Sequence, residues 1–344
     1  MKKTSPHTAR SLSLWFLAFY LVITFLPPLV YHYAPGPSSI AHGPSSIAKV
    51  PEPESSGASP PPEPESSAAP TVPPETDSFT LYDSATDKTL TVSGREFLIS
   101  DLACEMDLHA PVEALKAQAV AAYTYYSRMR EGGGEIPCDS GKWLVYVPEE
   151  VMRERWGEDY EEYRQILEGV VDEVCGQTLT YDGDLILASY FAISPGSTES
   201  VQNVWAEDAD KEHPYLRAVA SPGDMFSDGY LSFAQFSIEE LESALGVENF
   251  DPEECFAEYT PSGTALAVTA GDKEFTGQEV RAALGPRSAA FTFEPIDGGL
   301  RFTVRGWGHG VGLSQAGAVF MAKAGAGYRE ILGYYYPGTE IEGG

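Results

Sequence analysis

The sequence predicts an α+β fold for one globular region, with helices and mostly antiparallel strands in separate runs. Three observations support this prediction. An alanine-rich helical segment stops at three consecutive glycines, a strand pair surrounds Asp182-Gly183, and no βα repeat alternates along the chain. We expect an N-terminal membrane helix and a disordered linker to precede this region.

Apolar periodicity and terminal residues predict the helices. They cover 96–106, 111–130, 149–169, 237–245, 313–324 and 329–335. Pro111 suits the first position of the second helix, and Glu113 near its start and Arg130 near its end suit the helix dipole.

Short apolar runs next to turn residues predict the strands. Two of them lie within 79–92, on either side of a polar turn, and a hairpin follows within 178–191. Further strands cover 264–269, 289–294 and 300–304, and Asp297-Gly-Gly joins the last two.

The charge of the chain excludes several classes of partner. The 344 residues carry a formal charge of −29, from 22 Lys+Arg and 51 Asp+Glu. Sequence-independent nucleic-acid binding needs a basic face, so we expect no nucleic-acid partner. Attraction to anionic lipid headgroups is disfavoured for the same reason.

The N-terminal region predicts an export signal or a membrane anchor. Residues 1–34 contain a basic tip and an apolar run that counts about 20 residues from Ser11 to Tyr33. The basic flank predicts a cytoplasmic N-terminus and an exported remainder. An uncleaved single-pass anchor is favoured over a cleaved signal peptide, which would make the protein secreted.

Residues 35–76 are rich in Pro, Ser and Glu and contain two short duplications, which predict a disordered tether. Residues 77–344 then form the functional region. The first 76 residues hold four basic and five acidic side chains, so −28 of the charge lies on this region.

The four cysteines lie in this exported region. Their even number permits disulfides in three connectivities, and buried free thiols explain them equally well. There is no CxxC pair, so a structural zinc site has little support.

Two stretches carry candidate chemistry. Glu105 ends one helix and faces the next across a tight turn, where desolvation would raise the pKa of its carboxyl group and make it a general acid. The alternative is an ordinary surface acid. The second stretch has glycines at 306, 308, 310 and 312, which leave Trp307 and His309 to line a sugar cleft or to form a structural turn.

Other chemistries lack their motifs. The glycine stretch matches neither GxGxxG nor GxxxxGK, which argues against nucleotide binding. GxSxG and HExxH are both absent, and the six histidines are scattered. We therefore expect no cofactor and no metal.

Together the motifs resemble the stage II sporulation protein D family, which includes the amidase enhancers of cell-wall turnover. The resembling segments run in one order over 79–342. They are 105–125, 176–191, 197–205, 214–219, 276–291 and 306–341, the last beginning GWGHGVGLSQAG.

The resemblance implies a lytic transglycosylase that cleaves the MurNAc–GlcNAc bonds of peptidoglycan during sporulation and engulfment, with a 1,6-anhydro product. It implies Glu105 as the catalytic acid and base. Family-like positions around the cleft are Gln118, Tyr190, Ser194, His309 and Gln315, to which the glycine stretch adds Trp307. The alternative is a non-catalytic peptidoglycan-binding enhancer of an N-acetylmuramoyl-L-alanine amidase.

The resemblance also implies peptidoglycan glycan strands as a partner, together with a cell-wall amidase or endopeptidase and a polytopic membrane protein. This sequence departs from the family pattern at two informative positions. Tyr123 replaces an arginine, which removes a positive partner if that position faces the site. Phe191 replaces a histidine through which some relatives bind zinc, so we expect no zinc here.

The negative charge finally predicts where the cleft lies. Peptidoglycan and other wall polymers are anionic, so long-range repulsion would oppose substrate approach. We therefore expect a locally less acidic cleft around Arg281, Arg287, Arg305 and His309, and turnover that increases with added salt.

Overall fold

The computed structural model describes residues 77–205 and 212–343. The predicted anchor over 1–34 and the linker over 35–76 lie outside these residues. None of the helices in the described ranges is long and apolar enough to cross a membrane.

The described chain is a mixture of helices and largely antiparallel strands. The helices are α1 Gly94–Glu105, α2 Val112–Glu131, α3 Glu149–Trp156, α4 Tyr160–Val174, α5 Ile238–Leu245, α6 Gly277–Leu284, α7 Gln315–Lys323 and α8 Tyr328–Tyr335. The strands are β1 Ser78–Asp83, β2 Lys88–Ser93, β3 Ile136–Cys138, β4 Thr178–Tyr181, β5 Asp184–Leu185, β6 Tyr190–Phe191, β7 Leu231–Ser237, β8 Phe256–Tyr259, β9 Ala265–Ala270, β10 Lys273–Thr276, β11 Phe291–Ile296, β12 Gly299–Arg305, β13 Leu313–Ser314 and β14 Glu340–Glu342.

The larger of two principal cores surrounds α2, whose alanines allow α1, α4, α7 and α8 to pack closely around it. Three small sheets border this core, with strand orders β2-β1-β3, β14-β4-β5 and β13-β6. The pairs β1–β3 and β6–β13 are parallel, whereas the other strand pairs are antiparallel.

The second core belongs to residues 231–305. Two three-stranded antiparallel sheets, β10-β9-β8 and β11-β12-β7, enclose it together with α5 and α6. Both helices begin with a capping box, at Ser237 and Thr276, in which the side chain and the third helical residue satisfy each other's backbone donors. The unit begins and ends at one strand pair, where Leu231 faces Arg305.

Several sequence predictions need correction. The helix expected over 149–169 is two helices, because the chain turns at Gly157, where φ is +54°. The helix expected from Leu313 begins at Gln315, since Leu313 and Ser314 pair with β6 instead. Pro111 caps α2 from outside the helix.

Some elements went unpredicted, namely β3, β7, β8, β10, β14 and α6. The apolar side chains of the described residues form two principal cores, one around α2 and one within residues 231–305. All four cysteines are free, so no disulfide links the described residues.

Candidate functional site

Glu105 lies at the C-terminal end of α1, where the chain leaves the helix through Met106. Its Oε2 accepts a hydrogen bond from Nε2 of Gln315, at 3.2 Å. Burial raises the pKa of the Glu105 carboxyl group, and this effect exceeds the lowering caused by the Gln315 bond. A carboxyl group in this setting tends to hold its proton towards neutral pH, as a general acid requires.

A second carboxyl group, which the sequence analysis missed, lies one helical turn earlier. Asp101 is fully buried, and neither of its side-chain oxygens has a hydrogen-bond partner in the part of the chain that the structure describes. Desolvation, followed by the charge of Glu105, raises its pKa well above the usual value. The spacing of four residues places both carboxyl groups on one helical face. An acid among the apolar residues 97–102 was the sequence signal that could have identified it.

Tyr190 joins this group from β6. Burial raises the pKa of its hydroxyl group, and the neighbouring charges of Asp101 and Glu105 raise it further. Its ring meets that of Tyr125 edge-on, with 6.3 Å between the ring centroids. The cluster of Asp101, Glu105, Tyr190 and Gln315 is called here the acid cluster.

The stretch 306–312, called here the glycine strap, lies beside the acid cluster. All four of its glycines have positive φ. A Cβ atom on Gly306 would lie 2.5 Å from the carbonyl oxygen of Ile193, and one on Gly312 would overlap that of Ser189. The glycines therefore let the strap lie directly against the segment that carries Tyr190.

His309 fastens the strap to this segment. Its Nε2 donates to the carbonyl oxygen of Tyr190 at 3.0 Å, while its Nδ1 accepts from the backbone N–H of Val311 at 3.1 Å. Burial, aided by the charge of Arg281, lowers its pKa to about 3. A neutral ring that donates from Nε2 satisfies both bonds, so His309 orients the strap and carries no charge near neutral pH.

The other predicted site residues make no hydrogen bond to the acid cluster within residues 77–205 and 212–343. Gln118 is buried within α2, and its amide has no partner among the described residues. Ser194 is also buried: its Oγ accepts from the backbone of Gly196, and its own N–H donates to Asp224. Trp307 is half-buried beneath the guanidinium of Arg287, which lies 4.5 Å from its ring centroid.

The two departures from the family pattern have structural outcomes. The hydroxyl of Tyr123 donates to Asp77 at 2.5 Å, and its ring packs edge-on against Phe79. This position therefore faces β1, and the expected loss of a positive partner from the Glu105 site does not follow from it. Phe191 instead contacts His309, with 5.5 Å between the ring centroids.

Residues 77–205 and 212–343 contain no group of three or more His, Cys, Asp or Glu side chains that could hold a metal ion. Burial raises the pKa of the Cys138 thiol to about 12 and that of the Cys104 thiol well above its usual value, so neither favours the thiolate that metals bind.

The sequence that forms this site matches a known protein family. The family model described as "Stage II sporulation protein" matches residues 82–181, which include α1 and the acid cluster's two carboxyl groups. Stage II sporulation protein D of Bacillus amyloliquefaciens is 34% identical over 255 residues, covering 72% of this chain and 73% of the relative. The protein of the same name from Bacillus subtilis (strain 168) is 33% identical over 274 residues, covering 77% and 78%.

A more distant relative carries a different name. The amidase enhancer of Bacillus subtilis (strain 168) is 27% identical over 293 residues, which is 69% of this chain and 39% of the enhancer.

Proposed function

The chain belongs to the stage II sporulation protein D family, and from this premise we propose that it is a lytic transglycosylase of peptidoglycan glycan strands with Glu105 as its acid and base. The observation that supports this proposal most directly is the environment of the Glu105 carboxyl group. It is desolvated, its pKa is raised, and Gln315 provides its one hydrogen bond from the described residues.

The proposed reaction uses this one carboxyl group twice. Glu105 first donates its proton to the glycosidic oxygen between muramic acid and glucosamine while positive charge develops at the muramyl C1. The glutamate then accepts the proton of the muramyl 6-hydroxyl group as that oxygen attacks C1 and closes the 1,6-anhydro ring. Because the nucleophile belongs to the same sugar, its proximity replaces a separate water-activating base.

The surrounding residues would orient the strand and the acid. Gln315 fixes the Glu105 carboxyl group through one oxygen. Tyr190 presents a neutral phenol beside it, since burial keeps its pKa high. His309 holds the glycine strap, on which Trp307 offers an aromatic surface of the kind that stacks on sugar rings. We place the globular region outside the cytoplasm, joined to the membrane through residues 1–34.

A digest of purified glycan strands tests the proposal. We expect the protein to release strands with anhydro-muramic ends, detected by mass spectrometry, and Glu105→Gln to lower the rate by about 10²–10⁴-fold through loss of the transferable proton. Asp107→Asn is the matched control, because it removes an exposed acid two residues away and should leave the rate unchanged. Normal product release by Glu105→Gln would refute the assigned role.

The similarity to an amidase enhancer supports a second candidate, a non-catalytic module that binds glycan strands and stimulates a cell-wall amidase. This candidate predicts increased release of stem peptides by an added amidase, no anhydro-muramic ends, and no effect of Glu105→Gln. Measuring both products in one digest separates the two functions.

A further inference from the structure

Each of the two sheets of the second core has one strongly exposed phenylalanine. Phe233, on β7, is 66% exposed, and Phe256, on β8, is 64% exposed. Side chains alternate between the two sides of a strand, and the neighbours of each phenylalanine pack against the core, so both rings lie on the outer faces of their sheets. The two rings match in size and exposure, but the charges around them differ.

Arginines flank Phe233 on the neighbouring strand. Phe233 pairs with Thr303 of β12, and the next outward positions of β12 on either side hold Arg301 and Arg305. Diagonal positions of this kind lie about 7–8 Å apart, within reach of long side chains. Arg301 pairs with Glu294 of β11 at 3.1 Å, which leaves two arginines and one glutamate as the charged outward side chains of β7, β11 and β12. This outer face is called here the basic face.

The charge of Arg305 is available to a ligand. Arginines elsewhere in this acidic protein form ion pairs, such as Arg95 with Asp172 at 2.7 Å, whereas Arg305 forms none with residues 77–205 and 212–343. Its side chain is partly exposed, and none of its nitrogens is closed off from solvent without a partner. An anion in solution can therefore reach it.

The outer face of the other sheet carries the opposite charge. Phe256 pairs with Thr269, and the register of β9 with β10 places Glu274 in the same row. Glu258 lies two residues further along β8, on the same side. Within the strands described for this sheet, the outward positions hold these two glutamates and no basic residue. The basic face thus differs from its closest counterpart in charge and not in its aromatic ring.

The basic face adjoins the glycine strap. β12 ends at Arg305 and continues directly into the strap at Gly306. The backbone N–H of Gly306 donates to the carbonyl of Tyr230, the residue that precedes β7, at 2.7 Å. The next strap residue, Trp307, bonds through its backbone N–H to Ile193, three residues after Tyr190 of the acid cluster. A ligand on the basic face therefore lies beside the strap.

The side chains of the basic face suit a sugar strand that carries carboxylates. An exposed aromatic ring packs against the apolar face of a sugar ring, and an arginine forms charge-assisted hydrogen bonds with a carboxylate. The hydroxyl of Thr303 and the amide of Gln235 lie on the same side and can bond sugar hydroxyls. A positive face on a region of charge −28 also attracts an anionic strand to this place and not to the acidic sheet.

We propose that the basic face is a second binding site for the glycan strand, at which Phe233 stacks on a sugar ring and Arg305 binds a carboxylate. The identity of the strand rests on the proposed function, whereas the preference for sugar and carboxylate rests on the basic face. Two sources carry the carboxylate: the lactyl group of a muramic acid without a stem peptide, and the stem peptide itself.

Strand binding tests this assignment. The full chain carrying Glu105→Gln, which keeps strands intact, is titrated with bare glycan strands, with strands bearing stem peptides and with uncharged chitin oligosaccharides. We expect Phe233→Ser to weaken binding of all three by about 3- to 10-fold, because stacking needs no charge. Arg305→Met should weaken only the carboxylate-bearing strands, by a similar factor, and the strand that loses more identifies the source of the carboxylate.

Phe256→Ser is the matched control, because it removes an equally exposed ring from the acidic sheet and should leave all three affinities unchanged. Arg153→Met, at an exposed arginine of α3, is the control for charge and should also leave them unchanged. Phe233→Tyr keeps an aromatic ring and should keep the binding. Since Phe233 is exposed, Phe233→Ser should unfold at the same temperature as its parent.

Equal binding by Phe233→Ser and Phe256→Ser would overturn the site, and the transglycosylase would stand if the wild-type chain still released anhydro-muramic ends. Loss of chitin binding in Arg305→Met as large as the loss of strand binding would overturn the carboxylate assignment. Binding that depends on Phe233, without any glycan cleavage by the wild-type chain, would support the site and overturn the transglycosylase alone.

Discussion

Two buried acidic regions of the larger core have opposite hydrogen bonding. Asp224 accepts from the backbone of Ser194 and from the hydroxyls of Ser314 and Ser221, at 2.5, 2.5 and 2.8 Å. Among residues 77–205 and 212–343, no group donates to the equally buried Asp101, and Glu105 accepts one hydrogen bond, of 3.2 Å. Asp224 is therefore fixed by three donors, whereas the pair of Asp101 and Glu105 keeps acceptor positions that no described group fills.

The two regions meet in consecutive residues. Ser314 bonds to Asp224, whereas Gln315, the next residue, bonds to Glu105. The hydrogen bond from Ser314 to Asp224 therefore fixes the start of α7, and α7 positions Gln315, which donates to Glu105. We expect substitution of Asp224 to lower the stability of the fold, and substitutions in the acid cluster to change its pH dependence.

The largest effect on stability is expected for Asp224→Ala. This change leaves the backbone N–H of Ser194 and the hydroxyl of Ser314 without an acceptor, whereas the hydroxyl of Ser221 keeps that of Tyr335. The free energy of unfolding should therefore fall by about 3 kcal/mol. Chemical denaturation measures it, and Asp228→Ala, at a nearby less buried acid, serves as control. A loss below about 1 kcal/mol would mean that Asp224 does not hold this region together.

A smaller effect of opposite sign is expected for Asp101→Asn. The raised pKa of Asp101 means that the folded state holds a proton that the unfolded state releases. Stability from this group is complete below the unfolded pKa and declines as pH rises through the folded pKa. Asp101→Asn cannot titrate, so it should be more stable than the wild type by about 1 kcal/mol above neutral pH.

The pH dependence identifies the cause of that gain. Denaturation curves across pH 4–8 should show the difference between Asp101→Asn and the wild type increasing with pH. A constant difference would indicate altered packing instead of a titrating carboxyl group.

The smallest effect is expected for Gln315→Leu. The Gln315 bond lowers the pKa of Glu105, so its removal should raise that pKa and move the alkaline limb of the rate of glycan cleavage to higher pH. The comparison needs the whole pH profile, because loss of orientation also lowers the maximum rate. A limb that moves to lower pH would contradict the assigned bond.

Local rules predicted much of the fold but not its assembly. The turn between β1 and β2, the Asp182-Gly183 hairpin and the strands around Asp297 follow from residues close in sequence. Pairings such as β6 with β13 join residues more than 120 positions apart, and no local pattern encodes them. The core of 231–305 likewise depends on the pairing of β7 with β12, whose residues lie more than 60 positions apart.

The candidate site shows the same division. Glu105 was predictable from a helix end and a family motif, and its partner Gln315 lay in another motif that resembled the family. Asp101 was missed because the sequence contains 51 acidic residues and does not show that this one is buried. Ser194 was predicted to line the cleft, yet its backbone N–H donates to the buried Asp224.

The two ends of the segment 231–305 lie next to each other, and this arrangement has an evolutionary consequence. The backbone N–H of Gly306 donates to the carbonyl of Tyr230 at 2.7 Å, so the chain departs and returns at nearly one point. A segment with adjacent ends can be exchanged, enlarged or removed while the surrounding fold closes over the same gap. Since β7 and β12 lie in this segment, exchanging it would replace Phe233 and Arg305 while Glu105 stays in place. Residues 231–305 are therefore a segment that can vary while α1 and the acid cluster keep their positions.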